Sequence, residues 1–354
     1  MRLLPLLTVA FALVATRPAP ADAQRPALRV LVYHDMEGLA GQDDWHTFDF
    51  DFPEAYAKGR RLLVADLNAV IAGLYDGGAT QVDVVDAHGS GNPEPDVPPG
   101  ALDPRARQVF RDTRFRQYVD LVTPDAYDAI VCVGMHAKTG SRGFASHTFA
   151  PGLEFLVNGA SITETELIGY SWGRVGVPVV LVTGDDRLRQ DLRATMPWLE
   201  YVTVKTSTSA STAELRPVDE VHREMRRSAA RALKGMRGMK AMPLAGPIRG
   251  GMRAVAPASF AMLRGLPGVA FAGDTVVFEA SDFAALYDGW MALDNVASAS
   301  YGAVLRETVR AEPNADSLLV RYNERLTGRW LDVESGRWTA PAPTPPPARF
   351  FGAR

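Results

Sequence analysis

The chain has 354 residues, 47% hydrophobic and 22% charged, the composition of an ordinary globular protein. A formal net charge of −3 leaves no basic footprint for nucleic acid, and the single cysteine, Cys132, excludes an internal disulfide framework. Any metal site must therefore be built from His, Asp and Glu.

The first segment, MRLLPLLTVAFALVATRPAPADAQ, has an early Arg2, an apolar run from Leu3 to Ala15, and Ala21-Asp22-Ala23 before Gln24. That is the layout of a secretory signal peptide over residues 1–23 with a small-x-small cleavage site. The apolar run is short for a membrane span. We therefore expect a periplasmic or secreted protein with no stable membrane anchor after cleavage.

Strand-like runs then recur: LRVLVYH from Leu28, TQVDVVDA from Thr80, DAIVCVGMH from Asp128 and VPVVLVTGD from Val177. Their apolar residues are consecutive, as in strands covered on both faces, and Cys132 is one of them. Pro53 to Tyr75 carries Leu62, Leu63, Leu67, Val70, Ile71 and Leu74 at helical spacing, stopped by Gly77-Gly78. Thr163 and Asp185 or Asp186 are predicted N-caps of two further helices. FLVNGASIT, ahead of Thr163, reads as a hairpin turning at Asn158-Gly159. The alternation of strands and helices predicts an α/β fold, a largely parallel sheet flanked by helices, over residues 24–206.

After YVTVK (Tyr201–Lys205) the composition changes. A Ser/Thr-rich connection leads to Pro217, which opens a charged helix to about Leu233, and KGMRGMKAM follows as a basic exposed loop. GGMRAVAPAS, GVAFAGDTVVFEA and SDFAALYDGWMALDNVASAS complete a second, smaller α+β unit, 207–302. The extension 303–354 contains the Pro-rich APAPTPPPA and is expected to be partly disordered.

The first strand runs directly into His34-Asp35-Met36-Glu37-Gly38. Residues i and i+2 of a strand share a face and are only ~7 Å apart along it, so Asp35 and Glu37 can converge on one cation or a close pair. His34 would point the other way. Alone, such a pair reads rather as a capping or solvated strand end. Two more strands, however, end in His88 and His136. Ligands of open α/β sheets collect beyond the carboxyl ends of the strands, and two carboxylates with two imidazoles suit Zn²⁺ or a similar ion. By spacing alone, Glu164 and Glu166 read as first-turn acids of a helix, and His147 as a loop histidine. Asp185, Asp186 and Lys205 read as structural or solvated residues, and His46 and His222 receive no role.

Taken in order, HDMEG, VDAHG, GMHA, SHT, ITE and VTGDD resemble the DppA-type D-aminopeptidases of the M55 metallopeptidase family. The resemblance runs from roughly Leu28 to Ser300. It implies two Zn²⁺ per subunit, with Asp35 bridging, Glu37 and His136 completing one ion's ligands and His88 and Glu164 the other's. It makes His147 the catalytic histidine and leaves Glu166 outside the metal shell. It further implies a small peptide substrate with an N-terminal D-residue, hydrolysed by activated water, and a ring-type homo-oligomer. Tyr33-His34, Ala87, Gly89 and Ile168 depart from the usual family residues and are candidates for the substrate pocket. Two other readings use the same residues: a metal-dependent amidase with L-residue preference, and a non-catalytic envelope binding protein.

Overall fold

A computed structural model describes residues 27–89, 94–109, 116 and 118–339. The signal-peptide reading and the Pro-rich stretch 340–348 fall outside the described residues. In chain order the elements are β1 (Arg29–His34), α1 (Pro53–Asp76), β2 (Gln81–Asp86), β3 (Arg107–Gln108), β4 (Ala129–Met135), β5 (Leu153–Val157), β6 (Ala160–Ser161), α2 (Glu164–Gly173), β7 (Val179–Asp185) and α3 (Asp186–Leu192). They continue with β8 (Glu200–Ser207), β9 (Ala213–Leu215), α4 (Val218–Gly235), β10 (Ile248–Ala254), β11 (Ala270–Ala272), β12 (Thr275–Ala280), α5 (Phe283–Ser298), α6 (Gly302–Ala311) and α7 (Ala315–Glu334).

The four apolar runs form the centre of a seven-stranded sheet in the order β3-β2-β1-β4-β7-β8-β9. All of its pairings are parallel except β8 with β9. Side-chain alternation sorts β1 between two cores: Val30 and Val32 pack on one face, Leu31 and Tyr33 on the other. The first face is covered by α1 and α4, which lie along one another, with Leu63, Leu67, Val70 and Leu74 meeting Val221, Met225 and Ala229. On the second face lie α2, with Trp172 fully buried, and the second sheet.

That second sheet is antiparallel, in the order β11-β12-β10-β5-β6. It recruits the 153–161 hairpin, so a boundary at 206 does not separate the two sheets. The helix opened by Pro217 likewise packs on the first sheet's side, against α1 and β8. The hairpin turn itself is as expected, with Asn158 and Gly159 both left-handed at φ 50° and 85°. Helices α6 and α7 continue beyond α5 with Leu305, Tyr322, Leu326 and Trp330 exposed.

Two glycines let β1 and β4 end against one another. A Cβ on Gly38 would lie 1.9 Å from the Met135 carbonyl oxygen, and one on Gly134, at φ +76°, would lie 2.2 Å from that of Asp35. Gly38 is thus required for close approach of two backbones rather than for a left-handed turn. The Asp35 amide donates to Val133 O at 2.8 Å and the Gly38 amide to Gly134 O at 2.7 Å. The acids after β1 and the histidine after β4 are thereby fixed side by side.

Candidate metal centre

Adjacent strands β2, β1 and β4 deliver His88, Asp35 with Glu37, and His136 to the same edge of the sheet. From across the edge, the first turn of α2 adds Glu164, and the loop after β4 returns with His147. All five candidate ligands are almost wholly buried. Their atoms fall into two groups, each within 4.8 Å: Asp35, Glu37 and His88, and Asp35, His136 and Glu164. Asp35 belongs to both, in keeping with a bridging position. The remaining partition differs from the one implied by resemblance, since Glu37 sits with His88 and His136 with Glu164. Glu37 and His136 do meet in a further group with His147, but among the described residues no such group joins His88 to Glu164.

Each imidazole is oriented by its other nitrogen. Nδ1 of His136 lies 2.9 Å from Ala137 O, Nδ1 of His147 2.7 Å from Ala145 O, and Nδ1 of His88 2.9 Å from Asp96 Oδ2. A carbonyl or carboxylate oxygen only accepts, so Nδ1 donates in all three rings and Nε2 faces the cluster. Those Nε2 atoms lie 3.5 Å (His88) and 3.9 Å (His147) from Glu37 Oε1, and that of His136 lies 3.5 Å from Glu164 Oε1. The His136 and His147 rings stack at 4.1 Å between centroids. The carboxylates are also fixed: the Met36 amide donates to Asp35 Oδ1 at 2.8 Å and the Phe149 amide to Glu164 Oε1 at 2.7 Å.

Asp35 Oδ2 and His136 Nε2 are 3.4 Å apart, both buried, and neither makes a hydrogen bond. Leaving such atoms unpaired costs about 1–3 kcal/mol each, so the arrangement calls for a further partner. The charge balance specifies its sign. Burial pushes Glu37 well above the ordinary carboxylate range, and the Asp35 charge pushes it further. Burial also works against ionising Asp35, yet the His136, Glu37 and His88 contacts hold it far below that range. The imidazoles of His88 and His136 are raised despite burial, the first by Glu37 and Asp96, the second by Asp35 and Glu164. Three buried carboxylates with the Nε2 atoms between them, which a divalent cation would free of protons on binding, form a donor set for such cations, and the all O/N composition suits zinc.

A cavity of about 120 Å³ opens over the cluster. Asp35, His88, His147 and Glu164 form its floor, with Ala87 and Gly89 beside them. Phe149 and three residues of α5, Tyr287, Met291 and Asp294, form its rim. Of the departures from family residues, only Ala87 and Gly89 reach this cavity. Tyr33 is in the core, its hydroxyl accepting from Trp172 Nε1, and Ile168 is buried in the same core. His34 turns to the opposite face of β1 beside Asp86 and Asp96.

Some residues take positions that spacing did not foretell. Glu166 closes a capping box, its Oε2 accepting from the Thr163 amide while Thr163 Oγ1 accepts from the Glu166 amide. Asp185 caps α3 as expected, and Asp186 accepts from the Ser207 amide. His46 pairs with Asp44, and His222 with the buried Asp66. Lys205 is not solvated: it is fully buried, and its Nζ donates to Glu37 O at 2.7 Å, Gln42 O at 3.2 Å and Gln42 Oε1 at 2.8 Å. The lysine therefore holds the backbone of a cluster residue from behind. Asp96 carries no sequence signal of its role. It lies eight residues after His88 in a Gly/Pro-rich loop, where no spacing rule marks it.

An α/β sheet that gathers acids and imidazoles at its strand ends, under a small cavity, defines a site of the kind found in metal-dependent hydrolases. The sequence model of the M55 peptidases, described as D-aminopeptidase, matches residues 28–292, and the chain belongs to that family. A D-aminopeptidase of Bacillus subtilis (strain 168) is 29% identical over 216 residues, which is 61% of this chain and 76% of that protein. The solved structure of the Zn-dependent D-aminopeptidase DppA from Bacillus subtilis, described as a self-compartmentalizing protease, superposes with a TM-score of 0.68 at 23% identity. It covers 76% of this chain and 98% of its own, and at that identity it establishes the fold.

Proposed function

We propose that this protein is an exported aminopeptidase that binds two zinc ions and hydrolyses short peptides with an N-terminal D-residue, D-alanyl peptides among them. The observation that carries this reading is the pair of ligand groups sharing Asp35, with Asp35 Oδ2 and His136 Nε2 buried and unpaired. Asp35, Glu37 and His88 would hold one ion, and Asp35, His136 and Glu164 the other. Divalent ions held there supply Lewis acidity toward a peptide carbonyl and lower the pKa of water toward neutrality.

The chain's own residues account for the rest of the reaction. His147 lies on the cavity floor, less buried than the ligands. Burial and the neighbouring His136 lower its imidazole to about 4, so at neutral pH Nε2 is an unprotonated base. It accepts the proton of the attacking water at Nε2 and returns it to the departing amine, while Nδ1–H stays on Ala145 O. Asp96 keeps the His88 ring in register, and Lys205 keeps Glu37 in place through its carbonyl. The description of the Bacillus subtilis structure as self-compartmentalizing supports a homo-oligomer for this chain as well. The leader sequence supports export.

Metal analysis paired with D- and L-aminoacyl amides tests the proposal. Two zinc ions per chain and a clear preference for D-substrates are expected. His147→Ala should retain both ions and lose on the order of 10²–10⁴ in kcat. Full turnover by that variant, or turnover that survives chelation, would overturn the mechanism, and a preference for L-substrates would overturn the substrate class.

A further inference from the structure

We infer that Asp294 is a cation subsite of the catalytic cavity, selecting peptides that present an ammonium group beside the scissile bond. The inference rests on the peptidase reading above and adds a recognition residue to it.

Tyr287, Met291 and Asp294 lie at i, i+4 and i+7 of α5 and so share one face of the helix. That face lines the same cavity as the strand-end cluster. Its neighbours on α5 fix the helix: Trp290 is fully buried, stacks on Phe155 at 5.0 Å and donates from Nε1 to Gly251 O at 2.9 Å. Tyr287 is buried beside Tyr118 and Phe149. Asp294 is thus carried on a rigid support to the edge of a small cavity.

Among the described residues the Asp294 carboxylate takes one hydrogen bond, from Ser298 Oγ to Oδ1 at 3.0 Å, and joins no ion pair. Burial pushes this carboxyl above the ordinary range, so its charged form is costly with a single neutral partner, and a cation beside it would favour that form. The other rim residues, Phe149, Tyr287 and Met291, present rings and a thioether, which suit the uncharged part of a short side chain. The residue also lies just beyond the matched segment 28–292, so the family match does not assign it.

The shared chemistry is an alkylammonium. It has two sources in a peptide, the free α-amino group or a basic side chain, and substrates separate them. Wild type and Asp294→Asn would be compared on D-alanine amide, D-norleucine amide and D-lysine amide. Loss of a charge-assisted contact raises KM on the order of 10–100-fold with kcat nearly unchanged. An equal rise for all three amides assigns the α-ammonium, and a rise confined to D-lysine amide assigns the side chain. A change below about twofold in KM for every amide overturns the inference.

Binding provides a second measurement independent of turnover. Calorimetry with phosphinate analogues of D-Ala-D-Ala and D-Lys-D-Ala, and with the N-acetyl derivative of the first, should show Asp294→Asn weakening both free-amine ligands if the α-ammonium is bound, or the D-Lys ligand alone if the side chain is, and sparing the acetylated one. If wild type cleaves none of the amides, the peptidase reading fails, and this comparison still decides the subsite. Equal weakening of the D-Ala ligand and its N-acetyl derivative overturns it, as does no weakening of any of the three ligands.

Discussion

At the floor of the cavity each imidazole is tied through Nδ1 to a fixed oxygen, and each ligand is nearly inaccessible to solvent. At the rim, Asp294 has one hydroxyl partner and Met291 is half exposed. The two regions also differ in origin. The floor comes from ends of neighbouring parallel strands, whose spacing is set by backbone hydrogen bonds, whereas the rim comes from a helix docked on the second sheet. Pre-organisation is needed where charge develops in the reaction, and adaptability is tolerable where substrates differ. On the proposed reading, chemistry and selectivity fall to separate parts of this fold, which meet at the cavity.

The harshest test of that division is Asp35→Asn. It removes the one carboxylate shared by both ligand groups, so metal content should fall and activity should drop about a thousandfold or more, reflecting the several kcal/mol that metal ions supply. Zinc analysis alongside kcat/KM would check it, and a variant retaining both ions would dissolve the distinction between floor and rim. Asp96→Asn is gentler, because it loosens His88 without deleting a ligand. Metal affinity should weaken about 10–100-fold, read by competition with a chelator, while KM at saturating zinc holds.

Lys205→Met sharpens the comparison from behind the floor. It leaves Glu37 O, Gln42 O and Gln42 Oε1 without their donor and should cost about 2–3 kcal/mol in urea unfolding. A pH dependence accompanies this loss. Burial lowers the Lys205 ammonium from its ordinary 10.5 to about 7, so between those values the unfolded chain binds more protons than the folded one. The corresponding stability is fully present above 10.5 and is lost as pH falls through about 7. Wild type should therefore gain stability over Lys205→Met as pH rises from about 7 to 9.5, by at most about 1.4 kcal/mol per unit. Parallel pH profiles would show that the lysine is solvated after all.

Local pattern alone made a good part of the molecule legible. Consecutive apolar residues fixed β1, β2, β4 and β7 as covered strands, helical spacing fixed α1, and Asn158-Gly159 fixed the hairpin turn. These signals are read within a few residues because side-chain alternation and turn geometry are local properties. The same locality placed Asp35, Glu37, His88 and His136 at strand ends. Glu164 and His147 needed the ordered motif set, since a first-turn acid and a loop histidine look ordinary by spacing.

Other decisions belonged to tertiary structure. Which sheet the 153–161 hairpin joins, which ligands stand together around Asp35, and whether Lys205 is wet or dry depend on segments far apart in sequence. Lys205 meets Glu37 and Gln42 from more than a hundred and sixty residues away, and Asp294 reaches the cavity only because α5 docks on the second sheet. Sequence determined the kind of atoms available at each strand end. Packing decided their distances and partners, because burial and the closeness of charges arise only when the chain brings its separate pieces together.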